Sequence, residues 1–208
     1  MPDPIPPLAG ILLAGGRAER FGGIDKGLVA LAGRPLLAHA IARLRPQVAA
    51  LALNANGDPT RFAAFGLPVI PDPVPDQPGP LAGILAGLDW AAARGLPAAV
   101  TVACDTPFFP RDLVARLAPA AGPGCAIAAS RDTDGGLQPH PTFGLWPVSL
   151  RAPLRVALAA GERRVRAFAE SQGGATVPFA DPDGFFNINR PADLDAARAR
   201  WQSGDMPD

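Results

Sequence analysis

One lysine, two cysteines and two histidines in 208 residues leave this chain poor in the side chains from which much enzyme chemistry is built. Two cysteines cannot form a disulfide framework, and Cys104 sits in an apolar run where a buried thiol is expected. The histidines, His39 and His140, are too few for a metal cluster. His140, in "QPHPTFG", reads as structural or substrate-lining, not as a general base. Net charge is missing too: 19 basic residues balance 19 acidic ones. That excludes a molecule-wide field for nucleic acid or anionic lipid, so any anion site must be local. No apolar run approaches the roughly 18 residues of a membrane span. The start "MPDPIPPLAG" lacks the basic and then apolar pattern of a signal peptide. A soluble, cytoplasmic protein is expected.

What is present describes a globular chain: 48% hydrophobic and 18% charged residues, with 26 prolines and 23 glycines that predict short, stiff loops. One domain over 1–208 is expected, frayed at about 1–6 and 203–208. Apolar runs at 8–15, 48–54, 67–70, 98–104 and 125–130 read as strands buried on both faces. Leu36, Leu37, Ala40, Ile41 and Leu44 recur at helical spacing behind Pro35, and "LAGILAGLDWAAARG" reads as a helix closed by glycine. Later, "PTFGLWPV" reads as a strand, while "SLRAPLRVALAAG", "RRVRAFAESQG" and "ADLDAARARWQ" read as helices. The alternation predicts an α/β fold, a mostly parallel sheet covered by helices. Ligands of such sheets gather beyond the carboxyl ends of the strands. There stand a glycine-rich loop, "NAN", "PDPVPD" and "CDTP".

The glycine-rich loop, "LAGGRAERFGGIDKG", carries the lone lysine, Lys26. Paired glycines can turn backbone N–H groups toward a phosphate, and Arg17, Arg20 and Lys26 add charge. A lysine ammonium is a compact point charge suited to phosphate oxygens; the competing reading is a flexible turn with a solvated cation. No Ser or Thr follows Lys26, and G-x-G-x-x-G is absent after the strand, so the two standard phosphate-loop patterns do not apply. Asp105 in "CDTP" could hold Mg2+, which takes one or two protein carboxylates and completes its shell with phosphate oxygens and water, or could cap the helix near "PRDLVARL". The four asparagines fall in two N-x-N pairs, Asn54 with Asn56 and Asn187 with Asn189. Members of such a pair share a face of extended chain, and amides suit a ribose, a base edge or a metal-bound water. Asp72 could accept the N1–H and 2-amino edge of guanine, or be an acid in an exposed proline loop. "GPLAG" starts a helix and could also present backbone to a base. "GERRVR" reads as a solvated helix face or as a clamp for an anionic second substrate.

In order, "LAGGRAERFGGIDKG", "NAN", "IPDPVPDQPGPLAG", "CDTP", "HPT", "GERRV" and "NINRP" resemble the molybdenum cofactor guanylyltransferases over nearly the whole chain. The resemblance implies a three-layer, doubly wound fold like that of the nucleotide-diphospho-sugar transferases, Rossmann-like in architecture. It implies transfer of GMP from GTP to the phosphate of molybdopterin, release of pyrophosphate, and Mg2+. Leu13, Ala14, Gly15, Lys26, Asn54, Asp72 and Asp105 are then expected to bind GTP, Lys26 and Asp105 to be catalytic, and Asp105 to hold the metal. Arg20, Asn187, Asn189, Arg163 and Arg164 are expected on the pterin side. Related cytidylyltransferases show "LAAG" in place of "LAGG", so Gly15 directs the expectation to GTP. Gly57 and Asp58 depart from the family pattern and are given no role. The partners expected are GTP, molybdopterin and, transiently, cofactor-inserting or cofactor-receiving proteins, with no nucleic acid, no membrane and a monomeric state. The rivals are a cytidylyltransferase or sugar-phosphate nucleotidyltransferase on the same scaffold, and a non-catalytic carrier of the pterin cofactor.

Overall fold

All five apolar runs become strands, and two further strands join them. They are β1 (Ala9–Leu13), β2 (Ala50–Asn54), β3 (Val69–Ile70), β4 (Ala98–Ala103), β5 (Ala126–Arg131), β6 (Leu137–Pro147) and β7 (Ala175–Phe179). The computed structural model describes residues 5–15, 17–18, 24–74, 79–132, 134–181 and 183–203, and at 17, 18 and 24 the backbone alone. Most of the two termini expected to fray lie outside the described residues, as does Arg20.

The seven strands form one sheet in the order β7-β5-β6-β4-β1-β2-β3. Every pair is parallel except those made by β6, which runs antiparallel to both β4 and β5. A tight return forces that reversal: Asp132 N–H donates to Gly136 O at 3.0 Å, and Gly135 has φ 82°, a left-handed conformation open to glycine. The helices are α1 (Leu36–Leu44), α2 (Pro80–Ala92), α3 (Leu113–Ala121), α4 (Arg151–Ala159), α5 (Val165–Ser171) and α6 (Pro191–Ser203). None among the described residues is long and apolar enough to cross a membrane.

Alternation along β1 divides the core. Leu8 and Leu12 pack with Leu37, Leu44, Leu113 and Leu117 on one face; Ala9, Ile11 and Leu13 pack with Leu81, Ile84, Leu88 and Phe168 on the other. Thus α1 and α3 cover one side of the sheet and α2, α4 and α5 the other, giving three layers. A third cluster, Leu31, Leu36, Phe108, Ile188, Leu194 and Ala197, fastens α6 and the segment before it near the start of α1.

Candidate active site

Register brings the motifs together. Leu13 pairs with Asn54 on one side and Ala103 on the other, and Asn54 pairs in turn with Ile70. Two residues beyond this row, on four neighbouring strands, come Gly15, Asn56, Asp72 and Asp105. All four line a cavity of about 390 Å³, together with Leu13, Asn54, Gly79, Pro80, Ala103 and Thr142. Backbone hydrogen bonds carry the ladder past the row: Ala14 N–H to Asn54 O at 2.9 Å, Ala55 N–H to Ile70 O at 3.1 Å and Cys104 N–H to Leu13 O at 3.2 Å. The functional side chains therefore start from a rigid platform.

Lys26 opens a short 3-10 turn, Lys26–Leu28, and its ammonium donates to Asp105 Oδ2 at 3.1 Å and to Asn189 Oδ1. It is not a solvated cation. Nor does Asp105 cap α3, whose N-cap residue is Asp112. The Ile188 N–H donates to Asp105 O at 2.9 Å, which lays the 187–189 segment beside the end of β4. Within that segment Ile188 is buried, Asn187 exposed and Asn189 half-buried. Asp193 accepts the backbone N–H groups of Asn189 and Arg190, both at 2.8 Å, and fixes the turn into α6.

The other N-x-N pair grips Asp72. Asn54 Nδ2 donates to Asp72 Oδ1 at 2.9 Å, Asn56 Nδ2 donates to Asp72 Oδ2 at 2.7 Å, and Asn56 Oδ1 accepts the Asp72 N–H at 2.8 Å. Buried Asn54 also donates to Ile70 O at 3.1 Å. Gly83 on α2 makes room for it: a Cβ there would stand 2.3 Å from Asn54 Oδ1. Gly79, at φ 151° in a conformation L side chains rarely adopt, starts α2 and lines the cavity, so "GPLAG" both begins the helix and faces the site. A Cβ at Gly15 would meet nothing within 4 Å. Packing among the described residues therefore makes no demand for glycine at that position.

The donor set suits a hard divalent cation that needs few protein ligands. Among the described residues no three His, Cys, Asp or Glu side chains converge into a cage. Asp105, which lines the cavity together with Asp72, could hold a divalent cation shared with a polyphosphate, since such a site needs few protein ligands and keeps waters.

Comparison with known proteins adds a lineage. Residues 10–176 match the family model of the MobA-like NTP transferase domain. A molybdenum cofactor guanylyltransferase of Cereibacter sphaeroides is 50% identical over 192 residues, covering 92% of this chain and 96% of its own. Another, from Bradyrhizobium sp. (strain ORS 278), is 54% identical over 196 residues and 89% of each chain. The chain belongs to the molybdenum cofactor guanylyltransferase family. Among solved structures, the molybdopterin-guanine dinucleotide biosynthesis protein A of Archaeoglobus fulgidus is similar with a TM-score of 0.72 at 23% identity, covering 94% of this chain and 100% of that one. The 4-diphosphocytidyl-2C-methyl-D-erythritolsynthase of Anaerococcus prevotii also scores 0.72, at 15% identity, covering 95% and 96%. At those identities the likeness establishes the shared nucleotidyltransferase fold.

In this member of the guanylyltransferase family, Arg163 and Arg164 lie in the turn between α4 and α5. They line a separate surface hollow with Ala157, Ala160, Gly161 and Glu162. Glu162 Oε1 accepts their backbone N–H groups at 2.9 and 2.8 Å, which holds its carboxyl below the usual range. His140 stacks on Phe185 at 4.3 Å, with Nε2 2.8 Å from Ser130 Oγ; burial lowers it to about 4. Of the two roles its sequence context left open, structural or substrate-lining, these contacts fit the structural one. Cys104 is buried, and desolvation pushes its thiol far up. Thr142 lines the cavity from an irregular stretch of β6, between His140 and Gly144, where the register with β5 shifts. Only the "HPT" motif marked that position in the sequence. Asn56 and Gly83 were visible as residues, but their contacts with Asp72 and Asn54 follow from the register.

Proposed function

We propose that the protein transfers GMP from GTP to the phosphate of molybdopterin, releasing pyrophosphate. The observation that carries this reading is one cavity lined by two carboxylates in different settings: Asp72, held by two amides, and Asp105, which carries the Lys26 ammonium on Oδ2. Asp72 suits the N1–H and 2-amino edge of guanine, and Lys26 suits the phosphates. Leu13, Ala14 and Gly15 border the nucleotide between them. Asn187, Asn189, Arg20, Arg163 and Arg164 are assigned to the pterin side. A cytoplasmic setting and transient contacts with cofactor-inserting or cofactor-receiving proteins belong to the same proposal.

The chemistry asks for charge neutralisation and alignment more than for a nucleophile. An oxygen of the molybdopterin phosphate forms a bond to the α-phosphorus of GTP while the bond to the pyrophosphate oxygen breaks. That phosphate is already ionised near neutral pH, so no general base is required. Lys26 would draw the anions together and stabilise the charge that shifts to the leaving group. Asp105 would hold Mg2+, which when bound supplies further positive charge to the phosphates. His140, stacked away on Phe185 and hydrogen-bonded to Ser130, takes no part.

The test is pyrophosphate release from GTP, CTP, ATP and UTP with Mg2+, with and without molybdopterin. Release from GTP alone, dependent on the pterin, is expected. Preference for CTP would replace the base assignment, and binding of the pterin without release from any nucleotide would favour a carrier.

A further inference from the structure

Asn56 is a partner of Asp72 through both ends of its amide. Its Nδ2 donates to Asp72 Oδ2 at 2.7 Å and its Oδ1 accepts the Asp72 N–H at 2.8 Å, while Asn54 Nδ2 occupies the opposite carboxylate oxygen at 2.9 Å. A carboxylate has about four lone-pair sites, so each oxygen keeps one for a ligand. Rotation of an aspartate carboxylate is soft and roughly two-fold when nothing holds it. Donors on both oxygens remove that freedom and leave a fixed plane of two acceptors at the cavity wall. The Asn56 backbone is itself pinned, because Arg61 donates to Asn56 O at 2.5 Å and pairs with Asp25 Oδ2 at 2.6 Å.

A fixed pair of acceptors selects a base edge with two parallel N–H donors. Guanine offers N1–H beside its 2-amino group. Adenine and cytosine place an acceptor next to their amino group, and hypoxanthine keeps N1–H but lacks the 2-amino group. We propose that Asn56 is a specificity-determining positioning residue: by donating to Asp72 Oδ2 it sets the carboxylate plane and makes a 2-aminopurine nucleoside triphosphate the preferred substrate. The inference rests on Asp72 reading guanine under the proposed function. Asn56 acts through Asp72 and touches no reacting atom.

The experiment compares kcat/KM for GTP and for inosine triphosphate, with Mg2+ and molybdopterin, in the wild type and in Asn56→Ala, Asn56→Asp and Asp72→Ala. Urea unfolding accompanies each variant. Asn56→Asp keeps an acceptor for the Asp72 N–H but sets a second carboxylate against Asp72 Oδ2 in place of the donor, so the urea midpoint separates loss of the fold from loss of base choice. Expected is a wild-type preference for GTP that falls roughly tenfold in both Asn56 variants, the scale of one bidentate base contact, carried by KM for GTP more than by kcat. Either Asn56 variant, folded and with the wild-type ratio, would overturn the role of Asn56; if Asp72→Ala loses the preference in the same series, the guanine reading stands. A wild-type ratio in Asp72→Ala, or no turnover of GTP by the wild type, would sink that reading and the inference with it.

Discussion

Lys26 stands between two oxygens from distant parts of the chain, Asp105 Oδ2 and Asn189 Oδ1. A partly exposed ion pair contributes only about 0–1 kcal/mol to stability, so the fold alone gives little reason for it. Lys26→Ala and Asp105→Asn should each lower turnover about a hundredfold or more, the scale of losing a key electrostatic stabiliser, while thermal unfolding moves little. Near-wild-type turnover in folded variants would remove these roles. Gly15 makes a complementary case, because no atom of the described residues would stand within 4 Å of a Cβ there and its φ is not left-handed. Gly15→Ala is therefore expected to leave stability within about 0.5 kcal/mol while lowering kcat/KM for GTP relative to CTP. Both residues stand out in the sequence, Lys26 by scarcity and Gly15 by motif. The partner of Lys26 was not legible there: Asn189 read as a pterin contact, and only tertiary packing brings it to the ammonium.

At the scale of elements, α2 approaches β1 and β2 through two glycines. A Cβ on Gly83 would stand 2.3 Å from Asn54 Oδ1, and one on Gly87 would stand 2.6 Å from Ile11 Cγ1. Overpacking of this kind costs about 1–3 kcal/mol, so Gly83→Ala and Gly87→Ala should both lower the urea midpoint. Only Gly83→Ala should also weaken GTP binding, because Asn54 must leave Ile70 O and Asp72 to make room. Equal GTP affinity in the two variants would detach Asn54 from the site. Strands β1, β2, β4 and β5 were legible as unbroken apolar runs, since burial on both faces writes itself that way. Strand β7 was not, because Thr176 and Pro178 are exposed and alternate with buried Val177 and Phe179. Proline is tolerated there because β7 is an edge strand.

The whole molecule carries a pH sensitivity in its two histidines. Burial lowers both His39 and His140 from 6.5, the latter to about 4. The unfolded chain therefore takes up protons first as pH falls. Stability from His140 is present in full above about 6.5 and is lost as pH drops toward about 4, and His39 acts in the same direction. The urea midpoint should be lower at about pH 5 than at about pH 7.5, and His140→Gln should narrow the gap; an equal drop in both proteins would clear His140. Topology was legible only in part, because the reversal of β6 depends on a five-residue return that hydropathy does not mark. The link between Lys26 and Asn189 spans 163 positions, and β7 ends at Phe179, before Asn189. A ribosome making the chain from its amino end delivers every strand of the sheet before it delivers that asparagine. The newborn protein can thus assemble its scaffold first, and Lys26 gains its second oxygen only after the seventh strand has been made.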